Sequence, residues 1–364
     1  MEIVINGRFL TQQVTGVQRY ARELVGALDG ILDERPDINV TILSPRLPGD
    51  TPSWRNIGLR QVGFLTGHVW EQFELPLYSR GKTLFCPGNL APVISLIVNQ
   101  RVVVTLHDLS YIYFPEAYRW TFRIWYNLII PLVLRRARDV ITVSEAERSS
   151  IILHYPFVEC RLYAIANGGL PANLQIVGAG KPKIGTGYIL YVGSLSKRKN
   201  ISRMIEAASR LARERNFDFV FVGDVSKSLS IFETEIPKDI KTNMTFIGAV
   251  SDPTRLASYY QNAKCFLFPS LYESSGLPPI EAMAFGCPVL ASDIPALRER
   301  CGEAALFCDP LDVDSIVAGL ERIMDDGALR ARLKTLGYQR ASSFTWQRCA
   351  RETLDLICQS SLKA

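Results

Sequence analysis

The sequence predicts an α/β protein built from two doubly wound parallel sheets. Three observations carry that prediction. Short apolar runs alternate with stretches of helical periodicity along the chain, which is the pattern of βα units. The alternation breaks once, at PANLQIVGAGKPKIGTG, which is rich in Gly and Pro and has little periodicity. The length of 364 residues fits about two domains.

Taken in order, Glu2–Asn6 reads as the first strand. A loop follows, then a helix from about Gly16 carrying Tyr20, Leu24 and Leu28 on one stripe. Further strands are expected at 39–43, 83–86, 102–106, 140–143 and 162–165. A long helix is expected over Tyr118–Arg136, and Ser144 is placed to cap the helix after Val143. The first domain is therefore assigned to 1–170 and the linker to 171–187. The second domain, 188–345, opens with the strand Tyr188–Val192, a helix over 201–213 and a strand over 217–222. The strand 244–247, a helix over 253–262 and the strand Cys265–Phe268 follow. Later strands are expected at 289–292 and 304–307, with an all-helical tail from Val313. Its last helix, 346–364, is expected to return to the first domain.

The richest segment is PSLYESSGLPPIEAMAFGCPVLASDIPAL, Pro269–Leu297. The strand Cys265–Phe268 leads into a turn holding Glu273, two serines and Gly276. Pro278 and Pro279 suit the first turn of a helix, where a missing N–H costs nothing, and Glu281 lies on that helix. Backbone N–H groups and a positive helix end thus stand beside two carboxylates. Helix N-termini bind phosphate and a carboxylate accepts sugar hydroxyls, so the combination points to a nucleotide-sugar. The same spacing also describes an ordinary strand–turn–helix with surface acids.

Three other segments carry polar chemistry. GSLSKRKN (Gly193–Asn200) follows a strand and precedes a helix, which suits a diphosphate or simply a solvated basic turn. His107-Asp108 ends a strand, where parallel sheets place ligands, although such a pair is commonly a packed, hydrogen-bonded one. TGVQRY (Thr15–Tyr20) sets Gly16 at a helix start and is equally a plain cap turn. Asn167-Gly168-Gly169 closes the first domain as a tight turn.

Glu273, seven intervening residues and Glu281, followed by Ala282-Met283-Ala284 and Gly286-Cys287-Pro288-Val289, resemble the E-x7-E region of GT-B glycosyltransferases of family 4, which are retaining enzymes. The resemblance spans nearly the whole chain and is most specific in its second half. It implies that Glu273 meets the donor sugar and Glu281 the ribose. It also implies that amides at Gly276 and Leu277 hold the diphosphate and that Lys199 is the family's phosphate-binding lysine. His107 matches a histidine that contacts the donor sugar, and Gly16 a glycine loop that approaches the diphosphate. Two departures stand out. Many members carry Gly-Phe-Gly where this chain has Ser274-Ser275-Gly276, which brings Ser275 into the donor set. Ser194 stands where an arginine is frequent, with Arg198 as the compensating cation. The texture of TGVQRY, HDLSYIYFPE and GSLSKRKN resembles mannosyltransferases of bacterial polysaccharide assembly that use GDP-mannose, with a UDP- or dTDP-sugar as the alternative donor. The acceptor implied is a saccharide or lipid-linked saccharide, and the resemblance implies that the first domain is the acceptor side and the second binds the nucleotide-sugar.

Composition bounds the rest. A net charge of +5 is mild and accommodates an anionic substrate or a membrane surface. Eight scattered cysteines without a C-x-x-C pair read as reduced thiols of a cytoplasmic protein. Three dispersed histidines do not form a metal cage, and the Asp-x-Asp triplet Asp312-Val313-Asp314 stands where a helix cap is expected. No metal and no cofactor are expected. No secretory signal opens the chain, and no apolar stretch is long enough to span a bilayer. The segment 118–138 is basic and aromatic without an acid. It reads as peripheral contact with the inner face of the cytoplasmic membrane or as a core-facing aromatic stripe with a solvated arginine face. Nucleic acid lacks any supporting motif. An NAD-dependent oxidoreductase would show G-x-G-x-x-G after the first strand, where this chain reads NGRFLTQQVTG. A non-catalytic sugar- or nucleic-acid-binding protein would not need the acidic pair and the lysine together.

Overall fold

The computed structural model describes residues 1–49, 51–98, 100–170, 185–223, 238–250 and 252–362. The segment read as a linker lies outside the described residues as far as 184. Packing divides the chain into two units, Met1–Ala172 with Thr345–Ala364, and Asn173–Phe344.

The first unit holds seven strands: β1 (Glu2–Asn6), β2 (Asn39–Ser44), β3 (Ile57–Gln61), β4 (Thr83–Cys86), β5 (Val102–Thr105), β6 (Asp139–Thr142) and β7 (Leu162–Ala164). They form one sheet in the order β3-β2-β1-β4-β5-β6-β7, parallel at every pairing. Parallel strands require crossovers that cover both faces, so their residues are apolar without alternation. Val102, Val103 and Val104 are accordingly all fully buried. The chain reverses its direction of growth between β1 and β4, and there a crevice opens at the carboxyl ends of the strands.

β3 has no counterpart in the sequence reading. It is an edge strand whose burial falls away after Ile57, so it lacks the apolar run that marks the others. The helix Gly16–Ile31 presents Tyr20, Leu24 and Leu28 to the core. It packs against the last helix, Trp346–Leu362. Trp346 is buried, 5.8 Å from the Tyr20 ring. A Cβ on Gly168 would come within 2.5 Å of the Trp346 indole, so the Asn-Gly-Gly turn is small because an aromatic ring lies over it.

The second unit holds β8 (Ile189–Val192), β9 (Phe219–Val222), β10 (Met244–Gly248), β11 (Cys265–Phe268), β12 (Val289–Ser292) and β13 (Ala305–Cys308). Their order is β10-β9-β8-β11-β12-β13, again all parallel. Its reversal falls between β8 and β11. Gly193 and Gly223 follow β8 and β9 so closely that a Cβ on Gly223 would sit 1.8 Å from the Gly193 carbonyl oxygen. Only bare backbone fits at that strand end.

The basic aromatic helix runs over Trp120–Arg136. The core-facing reading holds for one stripe of it: Phe122 and Tyr126 stack at 4.0 Å and pack on the core. The opposite face is not a plain arginine face. Trp120, Ile124 and Leu128 are 71%, 52% and 67% exposed there, beside exposed Arg119 and Arg123. Among the described residues no helix is long and apolar enough to cross a membrane.

Candidate active site

The residues singled out in the second unit converge at its reversal point. After β8 the chain makes a tight turn, Lys197–Lys199, and enters the helix Ile201–Arg215 through Asn200. Asn200 adopts φ +65°, a left-handed conformation that asparagine tolerates better than most residues. Its amide donates to the carbonyls of Pro269 (3.0 Å) and Pro310 (2.6 Å), which ties the basic turn to the loop after β11. The backbone adds a second tie, Leu271 N–H to the Arg198 carbonyl at 2.9 Å. Arg198 itself donates to the Tyr272 carbonyl at 3.2 Å.

These ties bring Lys199 Nζ onto the Glu273 carboxylate in a short charge-assisted contact. Both side chains are about nine-tenths buried, and the ammonium also lies 4.9 Å from the centre of the Phe268 ring. For Lys199 this corrects the alternative reading of the segment as a solvated basic turn. Lys199 is the internal counter-ion of Glu273. Tyr191, buried beneath the turn, donates its hydroxyl to the Ser194 carbonyl at 2.8 Å. Burial first, and then the Glu273 charge, push its pKa well above the usual tyrosine range, so it remains a neutral donor.

Gly276 initiates the helix Leu277–Ala284 at φ +64°, and a Cβ there would meet Leu297 at 2.7 Å. Pro278 and Pro279 have no N–H. The orphan donors of this helix start are therefore the backbone N–H groups of Gly276 and Leu277. Ser275 is half-buried in the preceding turn. Glu281 is buried on the helix, and its Oε2 accepts from the Tyr260 hydroxyl at 3.0 Å. Tyr260 comes from the helix Pro253–Asn262 and was not singled out in the sequence. Its signal there is only one of two adjacent tyrosines in an amphipathic helix. Asp312, of the Asp-x-Asp triplet, caps the helix Val313–Asp325 by accepting from Asp314 N–H at 2.9 Å, while Asp314 pairs with Arg210. Among the described residues no group of three His, Cys, Asp or Glu side chains converges as a metal set.

In the first unit His107 follows β5 and is buried. Its Nε2 lies 2.8 Å from the Pro87 carbonyl, which accepts, so the proton sits on Nε2 and Nδ1 is left as an acceptor in the neutral ring. Its backbone N–H donates to Asn89 Oδ1 at 2.8 Å, and Tyr20 meets the ring edge-on at 4.6 Å. Burial lowers its pKa below the ordinary histidine value. Asp108 turns away to cap the next helical turn, accepting from Ser110 N–H at 3.0 Å. Gly16 starts its helix behind Thr15, whose N–H donates to Gln18 Oε1 at 3.2 Å, and a Cβ on Gly16 would meet nothing within 4 Å.

Two α/β units, each built on one wholly parallel sheet that reverses its growth once, have the architecture of a GT-B fold. The structure is similar over 100% of its length to sucrose-phosphate synthase from Thermosynechococcus elongatus (TM-score 0.75, 21% identity, 99% of that chain). It is similar over 98% to WaaG, a glycosyltransferase involved in lipopolysaccharide biosynthesis (TM-score 0.71, 16% identity, 99% of that chain). Residues 14–168 match the model of Glycosyltransferase Family 4, and 179–340 that of glycosyl transferases group 1. The chain is 30% identical over 267 residues to the O-antigen chain mannosyltransferase B of Escherichia coli, covering 70% of each protein. It is 24% identical to the O-antigen chain mannosyltransferase RfbU of Salmonella typhimurium, over 88% of this chain and 90% of that one. The chain belongs to the family 4 glycosyltransferases, and it is a transferase.

Two predictions follow from this geometry. Lys199→Ala strands the Glu273 charge in a buried setting, and should lower stability by about 3 kcal/mol in urea denaturation. The double variant Lys199→Met with Glu273→Gln removes both charges and should recover most of that loss. For His107, the folded pKa lies below the unfolded value of about 6.5. Between those two values the unfolded chain binds more protons, so stability should fall as pH drops below about 6.5. His107→Gln should flatten that part of the Tm-versus-pH curve.

Proposed function

We propose that this enzyme transfers a mannosyl group, with retention, from GDP-mannose to a saccharide or lipid-linked saccharide in bacterial polysaccharide assembly. The observation that carries the nucleotide-sugar reading is the buried Lys199–Glu273 pair, set beside the Gly276 helix start with Glu281 one helical segment on. In this reading Lys199, Arg198, the amides of Gly276 and Leu277 and the Ser275 hydroxyl meet the diphosphate and the sugar nearest it. Glu281, oriented by Tyr260, takes the ribose hydroxyls. Glu273 meets the donor sugar, and His107 and the Gly16 loop are the first unit's own candidates for donor contact.

The mannose assignment draws on the two O-antigen mannosyltransferase relatives, and the base on the resemblance to GDP-mannose enzymes. The bond from the anomeric carbon to the phosphate oxygen breaks as the acceptor oxygen bonds to the same face. The acceptor proton passes to the departing phosphate. The charge developing on that leaving group is met by Lys199 and the helix-start amides, the role a metal ion plays elsewhere, so no metal is required.

Nucleotide release from GDP-mannose in the presence of acceptor oligosaccharide tests this. Glu281→Gln should weaken GDP binding about 10- to 100-fold, the loss of a charge-assisted hydrogen bond. Glu273→Gln should lower kcat about 100-fold with little change in GDP affinity. Turnover should persist in excess EDTA. A thermal-shift panel of GDP-, UDP- and dTDP-sugars with NAD identifies the donor. Stabilisation by NAD alone, or by none of them, overturns the reading.

The exposed face of the Trp120–Arg136 helix supports contact with the inner surface of the cytoplasmic membrane. Trp120, Ile124 and Leu128 are flanked by Arg119 and Arg123, and the adjoining helix Val93–Ile97 exposes Ile94 and Ile97. Apolar insertion beside arginine is the composition that anionic headgroups attract, each cation contributing about 1 kcal/mol. Sedimentation with liposomes should rise with anionic lipid, fall with salt, and be lost in Arg119→Glu/Arg123→Glu. Binding indifferent to lipid charge removes the membrane from this proposal.

A further inference from the structure

His107 is held at three points, and only two of them lie on the loop after β4. The Pro87 carbonyl accepts from Nε2, and Asn89 Oδ1 accepts from the backbone N–H. A single hydrogen bond to the imidazole fixes one ring edge and leaves the plane free to swing about that bond. The third contact removes this freedom. The Tyr20 ring stands across the imidazole at a centroid distance of 4.6 Å and an interplanar angle of 85°. Edge-to-face packing of this kind is a preferred arrangement of rings, and it blocks rotation of the imidazole on that side.

Tyr20 is itself firmly seated. It is 1% exposed, and its hydroxyl lies 3.4 Å from Thr105 Oγ1. Thr105 ends β5 two residues before His107. Tyr20 thus bridges two positions of one strand end, with its hydroxyl on the first and its ring on the second. The last helix adds the remaining contacts. Trp346 meets the Tyr20 ring at 5.8 Å, and Cys349 and Thr353 lie beside the hydroxyl. Trp346, Cys349, Ala350 and Thr353 are all buried and recur at helical spacing, so one stripe of that helix backs the tyrosine. Burial holds the Tyr20 pKa well above its ordinary value, so the group stays neutral. The plane matters because Nε2 is committed to Pro87. Nδ1 is the ring's remaining polar atom, and the ring plane alone decides where its lone pair points. A misplacement of about 1 Å at a reacting centre can cost on the order of a hundredfold in rate.

We propose that Tyr20 is a positioning residue of the transferase, which sets the plane of the His107 ring and so the direction of its Nδ1. The proposal rests on the donor contact assigned to His107 above. Nitrogen NMR of the full chain labelled in histidine tests it, because ring nitrogen shifts report the tautomer. The chain has three histidines, and the His107 signals are those lost in His107→Gln. The unsubstituted protein should show His107 with its proton on Nε2 alone. Tyr20→Leu removes the flat ring. It should admit the second tautomer and lower kcat with GDP-mannose about tenfold or more, with GDP affinity by calorimetry unchanged. Tyr20→Phe restores the ring and should recover the single tautomer and most of kcat. Urea denaturation checks that each variant folds, and Tyr20→Met, closer in volume, replaces Tyr20→Leu if that chain does not. Three results each overturn the proposal: an unchanged tautomer and kcat without the ring, a Tyr20→Phe enzyme as impaired as Tyr20→Leu, or GDP affinity falling in step with kcat. Failure of the transferase reading appears separately, as absence of GDP binding in the unsubstituted protein, and leaves the tautomer measurement to judge Tyr20.

Discussion

Each sheet of this protein changes its direction of growth once, and its chemistry depends on that reversal. A parallel strand can be followed by its neighbour only through a crossover, and successive crossovers in one direction close over the strand ends. Where the direction switches, the two loops part and leave a crevice lined by backbone and loop side chains. β1 and β4 make that opening in the first unit, β8 and β11 in the second. In the first, Glu71 is buried against Asn6 and Arg8; in the second stands the pair Lys199–Glu273.

Both openings hold charge that is largely withdrawn from water, and both are held by polar anchors rather than by apolar packing. In the second unit Asn200 is the fixed point: a left-handed residue whose amide reaches two carbonyls on distant loops. Those bonds act together with the Leu271–Arg198 backbone bond, the Arg198–Tyr272 hydrogen bond and the Lys199–Glu273 contact, which join the same two segments. A buried pair of this kind contributes little net stability against its desolvation cost. Its value is positional, because it holds the Lys199 ammonium and the Glu273 carboxylate in one fixed geometry beside the Gly276 helix start.

The glycines at these openings follow the same logic in two different ways. Gly276 is required by its backbone angle and by the Leu297 side chain against it. Gly223 is required because another backbone occupies the space a Cβ would take. Gly16 is different: nothing crowds it, and any need for its smallness would come from a ligand. Gly168, finally, is small to admit the indole of Trp346, which seats the last helix on Gly16–Ile31.

The sequence by itself determined the βα alternation, nearly every buried strand, and the residues at the second unit's opening. Buried parallel strands are continuous apolar runs, and glycine, proline and acid at fixed spacing mark a helix start without reference to the rest of the chain. It did not reveal β3, whose half-exposed edge lacks such a run, nor the outward Trp120, Ile124 and Leu128, since a periodic pattern does not say which face meets the core. Tertiary structure alone decided that Lys199 is buried against Glu273 rather than solvated, that Tyr260 orients Glu281, and that Asn6, Arg8, His68 and Glu71 form one cluster. These contacts join residues from 21 to 74 positions apart. Their charges and hydrogen bonds are set by distance in space, which no local pattern encodes.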